Sequence, residues 1–331
     1  MHSLFLNIRR GLIALAGAML VLCASGTLYQ MVAMRGDQRA FPAPGQLVDV
    51  GGYKLHISCL GTPHAGSPTV ILEGAHQATS SLWALVQSPV AAEARVCAYD
   101  RAGLGWSEPG PEPRDAQHVS RELHTLLANA GIPAPYVLVG HSYGGLYARV
   151  YAAQYPAEVA GLVLVDATHP DVWTRTPAGR AEYQATARRS RMAPIVAGLG
   201  LIRLLDLFPL HADLPPQQEA QYTAFKNSTA FWSVSDAEYR ATPATVTQAR
   251  SAGSLGRLPL TVVSAGQHVR DDPLWSQLQD ELATLSTNGI HSVVDGADHF
   301  SLLLKQQDAR MTAAAILRTV KAVRTGQPLR P

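Results

Sequence analysis

The 331 residues are 47% hydrophobic and 16% charged, and the formal net charge is +2. That composition excludes a disordered chain. With no dense Lys/Arg stripe, it also gives no electrostatic support to nucleic-acid binding, and no such partner is expected.

The first element is apolar. Gly11 to Met34 carries no charged residue and is long enough to cross a hydrocarbon core of about 30 Å. Arg9 and Arg10 precede it, as in a signal anchor. Small residues at Ala24-Ser25-Gly26 offer a cleavage site, but the apolar character continues through Val32 and Met34, which favours a retained anchor over residues 1–34. Leu22 stands before Cys23 where a lipoprotein signal wants a small residue, which argues against lipidation. Arg35 and Arg39 on the far side nearly balance Arg9 and Arg10. The expected orientation is amino end inside and the remaining domain outside. Residues 35–45, RGDQRAFPAPG, read as a linker.

Strand candidates follow at Gln46–Val50 and Lys54–Cys59, joined by Gly51-Gly52, a hairpin signal. Further candidates are Thr69–Glu73, Arg95–Tyr99, Tyr136–Gly140, Gly161–Val165, Leu260–Ala265 and Ile290–Val294. Several are short apolar runs suited to burial on both faces of a parallel sheet. Helical patterns alternate with them, at Trp83–Ala91, Gln117–Ala130, Tyr143–Gln154, Leu274–Thr284 and Ser301–Val323. The alternation predicts an α/β chain with a mostly parallel sheet.

One interval breaks the rhythm. Between His169 and about Gly256 no convincing strand appears, and Pro177, Pro194, Pro209, Pro215, Pro216 and Pro243 divide short helical patterns. A structureless loop of that length does not suit a compact domain. The interval 169–256 is expected to be a helical cap, splitting a core of residues 46–168 and 257–325. Its aromatic residues either line a substrate cavity or form the cap's own core.

The chemistry starts at YVLVGHSYGGLYARVY, Tyr136 to Tyr151. Ser142 lies between a strand pattern and a helix pattern, with Gly140 and Gly144 on either side. A strand-to-helix corner lifts the hydroxyl out of the sheet edge and needs small neighbours where strand and helix approach. Helix amides behind it present partial positive charge to a developing oxyanion.

With three further motifs the chain resembles the α/β-hydrolase superfamily over about residues 46–323. LEGAHQATSSLW (Leu72–Trp83) resembles the loop that supplies an oxyanion amide, with Glu73-Gly74 where the family often has His-Gly. YDRAGLGWS (Tyr99–Ser107) looks like a structural turn packed beneath the site, and GADHF (Gly296–Phe300) like the loop of the catalytic histidine. The resemblance implies an eight-stranded, mostly parallel sheet with a helical cap. It implies Ser142 as nucleophile, His299 as base, and the backbone amides of Ala75 and Tyr143 as oxyanion donors. Histidine suits a base because its pKa lies near neutrality. His141 points the wrong way on a tight turn. His76, His169, His268 and His291 read as structural or surface residues, with a substrate contact open for His76 and His169.

Two positions are open for the acid. Asp166 ends a strand at the sheet edge that presents Ser142. Asp271 and Asp272 follow the next strand, where many members place theirs, but the stretch from Gly266 is longer than the usual compact turn. The reading favours Asp166, with Asp271 as the alternative.

A serine nucleophile implies ester cleavage through an acyl-enzyme, with no metal or organic cofactor and a small, partly apolar ester as partner. It argues against dehalogenase and epoxide-hydrolase chemistry, which in this superfamily use a carboxylate nucleophile. Peptidase, amidase or thioesterase activity on the same residues is the alternative, and a non-catalytic binding protein is a third. Cys23, Cys59 and Cys97 lack the spacing of a zinc or CxxC site. In the family's usual strand order the strands of Cys59 and Cys97 are neighbours, so a disulfide is permitted if the domain is exported, with two buried free thiols as the alternative.

Overall fold

The computed structural model describes residues 2–63, 66–175 and 177–330. Eight strands form one sheet: β1 (Gln46–Asp49), β2 (Lys54–Leu60), β3 (Thr69–Glu73), β4 (Val96–Tyr99), β5 (Tyr136–His141), β6 (Val159–Val165), β7 (Leu260–Ala265) and β8 (Gly289–Val294). Their spatial order is β1-β2-β4-β3-β5-β6-β7-β8. The opening hairpin pairs β1 with β2 antiparallel, and β2 joins β4 antiparallel. All other pairs are parallel.

The apolar runs are explained by burial on both faces. Val70 and Leu72 of β3, Val137 and Val139 of β5, and Val163 and Val165 of β6 enter one core cluster. Ile71, Leu138, Leu162 and Leu164, the alternate residues, enter another on the opposite face. A period of two thus assigns each side chain to one helical layer or the other. Cys59 and Cys97 stand opposite one another in the β2–β4 register, with their sulfurs 2.06 Å apart.

Three local expectations need correction. The first helix runs unbroken over His2–Ala40, so residues 35–40, read as linker, are helical. Arg39 in its last turn complements the helix dipole, and Asp37 is fixed by Arg203 at 2.5 Å. Between β6 and β7, Pro194 and Pro243 do not end helices. They lie inside two long ones, Pro177–Gly198 and Thr229–Ser251, which pack on each other. A proline in a helix interior costs about 3 kcal/mol, which tertiary packing here outweighs. The last helical pattern is broken at Lys305, into Ser301–Leu304 and Gln306–Thr325. Asp213 reaches in there: its amide donates to the Leu304 carbonyl at 2.7 Å and its carboxylate accepts from the Gln306 amide at 3.2 Å.

Candidate active site

β5 ends directly at the corner. Ser142 has φ +53°, a left-handed conformation that a non-glycine residue seldom adopts without cause. Three backbone bonds hold it there. Its amide donates to Val165 O at 3.0 Å, and its carbonyl accepts from Gly145 and Thr168 at 3.0 and 2.9 Å. A side chain at position 144 has no room: a Cβ there would stand 2.5 Å from the Glu73 carbonyl oxygen. That close approach brings the loop after β3 against the start of the Gly144–Gln154 helix.

The structure brings Ser142, His299 and Asp166 together from three separate stretches of chain. Ser142 Oγ lies 3.0 Å from His299 Nε2, and His299 Nδ1 lies 2.6 Å from Asp166 Oδ2. An ionised carboxylate can only accept, so Nδ1 carries the proton and Nε2 is left to accept from the serine hydroxyl. Asp166 is fully buried and, like Ser142, has positive φ (+41°). Asp271, the alternative acid, is exposed at the end of a short helix, Gly266–Asp271, formed by the stretch noted as too long for a turn. Asp272 caps the next helix through the Leu274 amide at 3.0 Å.

Asp166 has more partners than its sequence neighbourhood suggested. His268 Nδ1 also donates to Oδ2, at 2.9 Å, while Trp275 Nε1 and the Ala265 amide donate to Oδ1 at 2.9 and 3.2 Å. Burial alone raises a carboxyl pKa. Here the hydrogen bonds from His268 and His299 outweigh it and hold Asp166 well below the usual range. His268, read from sequence as structural or surface, is thus joined to this cluster, and its ring stacks on Trp275 at 4.1 Å. Its position just past β7, on the same sheet edge as Ser142, was the one available signal. The other histidines weighed from sequence have partners of their own. His141 Nε2 bonds to the His299 carbonyl at 3.0 Å, so it fixes the histidine loop. His76 packs on Tyr239 with ring centres 4.1 Å apart. His169 lies near Glu281, and His291 pairs with Asp280.

The expected oxyanion donors are the amides of Tyr143, next to Ser142 in the chain, and of Ala75, whose loop meets Gly144 at the same corner. Among the described residues neither N–H is donated to a protein acceptor. The loop carrying Ala75 is held from below by Arg101, whose turn had been read as packing alone. The Arg101 guanidinium donates to the carbonyls of Gly74 and Ala75 at 2.8 and 2.9 Å. It also pairs with the carboxylates of Glu73 and Glu238, each at 2.7 Å. A trans peptide points its C=O and N–H in opposite directions. Anchoring Gly74 O toward Arg101 therefore turns the Ala75 N–H away from it. Glu73, standing where the family often has histidine, belongs to this buried network and bonds to the Tyr99 hydroxyl. Arg101→Met leaves two buried carboxylates without their cation, and the expected loss is about 3–5 kcal/mol of unfolding free energy. Urea denaturation measures it.

Two histidines near the site, His141 and His76, contribute to a pH dependence, as does His169, which burial also lowers to about 4. Burial, aided by nearby His299, pushes His141 down to about 3, and burial pushes His76 down to about 4. All three are neutral in the fold near pH 7 but bind protons in the unfolded chain below about 6.5. Folded pKa values below the unfolded ones mean that stability is full above pH 6.5 and declines as pH falls toward 4. The expected slope is about 1.4 kcal/mol per pH unit for each histidine. Urea midpoints at pH 7.5 and 5.0 check it; equal midpoints would contradict the assignment.

A cavity of about 980 Å³ opens near the Ser142 corner, reached through His141. Its wall includes Ala75, His141 and Phe300, the last two next to Ser142 and His299 in sequence, and Trp83, Phe231 and Trp232. The aromatic residues between β6 and β7 therefore serve both expected ends. Phe231 and Trp232 also form a small core with Leu104 and Ile202.

A serine corner of positive φ after a parallel strand thus faces an imidazole and a buried carboxylate. Residues 68–306 match the family described as alpha/beta hydrolase fold, and the chain belongs to that family. An uncharacterized protein of Schizosaccharomyces pombe is 29% identical over 301 residues, covering 80% of this chain and 54% of that protein. An uncharacterized vacuolar membrane protein of Saccharomyces cerevisiae is 29% identical over 135 residues, 36% of this chain and 21% of that one. The chain thus spans about half, or less, of the length of these relatives. Among solved structures, the Cif epoxide hydrolase of Acinetobacter nosocomialis superposes with a TM-score of 0.65 at 14% identity, covering 88% of this chain and 96% of that one. At that identity the likeness concerns the fold.

Proposed function

We propose that the protein is a membrane-anchored serine hydrolase that cleaves carboxylic esters through an acyl-enzyme. The observation that carries the reading is the relay Ser142 Oγ–His299 Nε2–Nδ1–Asp166 Oδ2, at 3.0 and 2.6 Å. His299 Nε2 takes the Ser142 proton as Oγ bonds to the ester carbonyl carbon. The carbonyl oxygen becomes an oxyanion facing the amides of Ala75 and Tyr143. The C–O bond to the alcohol breaks, and the alcohol leaves with the proton from His299. Water, deprotonated by the same nitrogen, then attacks the acyl carbon and restores the serine. Asp166 keeps Nδ1 protonated and offsets the charge on the imidazolium. Every part is supplied by the chain, and no cofactor takes part. A serine at the corner, where the carboxylate-nucleophile members of the superfamily carry aspartate, separates this chemistry from epoxide opening.

The helix His2–Ala40 is the proposed anchor. Over Leu4–Ala40 it is long and apolar enough to cross a membrane, with mean hydropathy 2.0 in its most apolar window. The hydrolase domain is proposed to lie outside the cytoplasm, a compartment in which paired Cys59 and Cys97 are chemically at home. A reporter fused after Pro44 that is active only in the cytosol would reverse the orientation. A fluorophosphonate probe tests the chemistry: it is expected to label the native protein at Ser142. Absence of labelling would favour a non-catalytic role, and turnover of peptides or thioesters in preference to esters would reassign the bond.

A further inference from the structure

The second half of the anchor helix, from Gly26 to Asp37, is seamed to the helical cap. Gly26 meets the Leu199 carbonyl so closely that a Cβ at position 26 would lie 2.5 Å from that oxygen. Tyr29 packs on Gly200, where an added Cβ would be 2.9 Å from the ring. Gln30 is buried and donates to the Asn227 carbonyl at 2.5 Å, and Asp37 pairs with Arg203 at 2.5 Å. Residues 26, 30 and 37 share one face of a 3.6-residue helix. The single amide side chain within the apolar stretch 11–34 that meets the cap is thereby hidden from lipid.

This seam fixes a depth. Gly26 precedes Arg35, the first charge after the apolar stretch, by nine residues, or about 13 Å along the helix. Leu199 and Gly200 therefore stand level with apolar helix, and Arg203 reaches Asp37 just past its end. That cap segment exposes apolar side chains, Ile195, Leu204 and Leu205 at 57%, 67% and 60%, while its two charged residues are paired, Arg203 with Asp37 and Asp206 with Lys226. Continuing along the chain, Leu207 and Phe208 are 44% and 45% exposed and also line the cavity near Ser142. Arg188 and Arg189, exposed on the cap helix, line the same opening and suit phosphate headgroups.

We propose that the cap edge 195–208 is immersed in the membrane that holds the anchor, and that the cavity takes its substrate laterally from the lipid. The substrate class is then a membrane-dissolved ester with a long acyl or alkyl chain. The proposal rests on the reading of the first helix as an anchor and of the site as an esterase. A surface of exposed leucines is costly in water and favourable in the interfacial region. Anchoring alone would leave the mouth in water. The seam places it at the lipid.

The test uses the full-length chain with C23S, reconstituted in phosphatidylcholine–phosphatidylglycerol vesicles carrying spin-labelled lipid. Single cysteines L20C, L204C and T287C carry an environment-sensitive fluorophore; Thr287 is exposed at the opposite edge of the sheet. Quenching at 20 and 204 but not at 287 is expected. Quenching at 20 alone overturns the immersion and leaves the anchor standing. Quenching at neither overturns both, and neither result depends on activity. Leu204 and Leu205 do not line the cavity. In L204E/L205E the ratio of vesicle-borne long-chain ester turnover to short soluble ester turnover is expected to fall about tenfold or more, given the apolar burial forfeited. A ratio equal to the parent's overturns lateral entry, whether or not the variant is well folded.

Discussion

Ser142→Ala is expected to lower ester kcat/KM by about 10⁵-fold, with KM little changed. The reason lies in how much of the site converges on one oxygen. The corner backbone is held in a conformation with φ +53° by three hydrogen bonds, and the hydroxyl is presented 3.0 Å from a nitrogen that can only accept from it. Alanine keeps the backbone, the amides of Ala75 and Tyr143 and the cavity, so substrate still binds. It removes only the atom that forms the acyl bond. Any residual rate reflects water attack within an intact oxyanion pocket. Fluorophosphonate labelling must vanish together with turnover. A variant that keeps more than about a tenth of the parent rate would show that the hydroxyl is a bystander.

Asp166→Asn is expected to cut kcat about 10⁴-fold, while Asp271→Asn leaves it within about twofold. Asp166 accepts from four donors: His299, His268, Trp275 and the Ala265 amide. The amide group has one acceptor oxygen and two N–H donors. Whichever way it turns, it presents an N–H where a donor already points. If that N–H faces His299 Nδ1, the imidazole must shift its proton to Nε2, and Nε2 can no longer accept from Ser142. The carboxylate's charge, which offsets the imidazolium, is also lost. Removing the acceptor from a buried cluster of donors should in addition lower unfolding free energy by about 1–3 kcal/mol. The comparison with Asp271→Asn is decisive because that residue is exposed and lies after the neighbouring strand. Loss of activity in Asp271→Asn alone would move the acid there.

Much of this protein is written in local pattern. The strand at Tyr136–His141, the small residues around Ser142 and the helix that follows can be read because backbone sterics act over a few residues. The alternation of Val70, Ile71 and Leu72 announces two buried faces for the same reason. The apolar run 11–34 is likewise a property of consecutive residues. The sequence by itself therefore determined the fold class, the serine corner, the histidine loop and the candidate anchor.

What only the tertiary structure decided involves partners far apart along the chain. Which carboxylate meets His299 is a contact across 133 residues, and Asp166 makes it. His268 and Trp275 join Asp166 because β7 lies beside β6, a fact of strand order that neither residue advertises. Arg101 reads as part of a turn until Gly74, Ala75 and Glu238 are seen around its guanidinium. The helices across Pro194 and Pro243, and the seam between the first helix and the cap, follow from packing that overrides local propensity. Charge pairing and desolvation act through space, so their outcome is fixed only once the chain has folded.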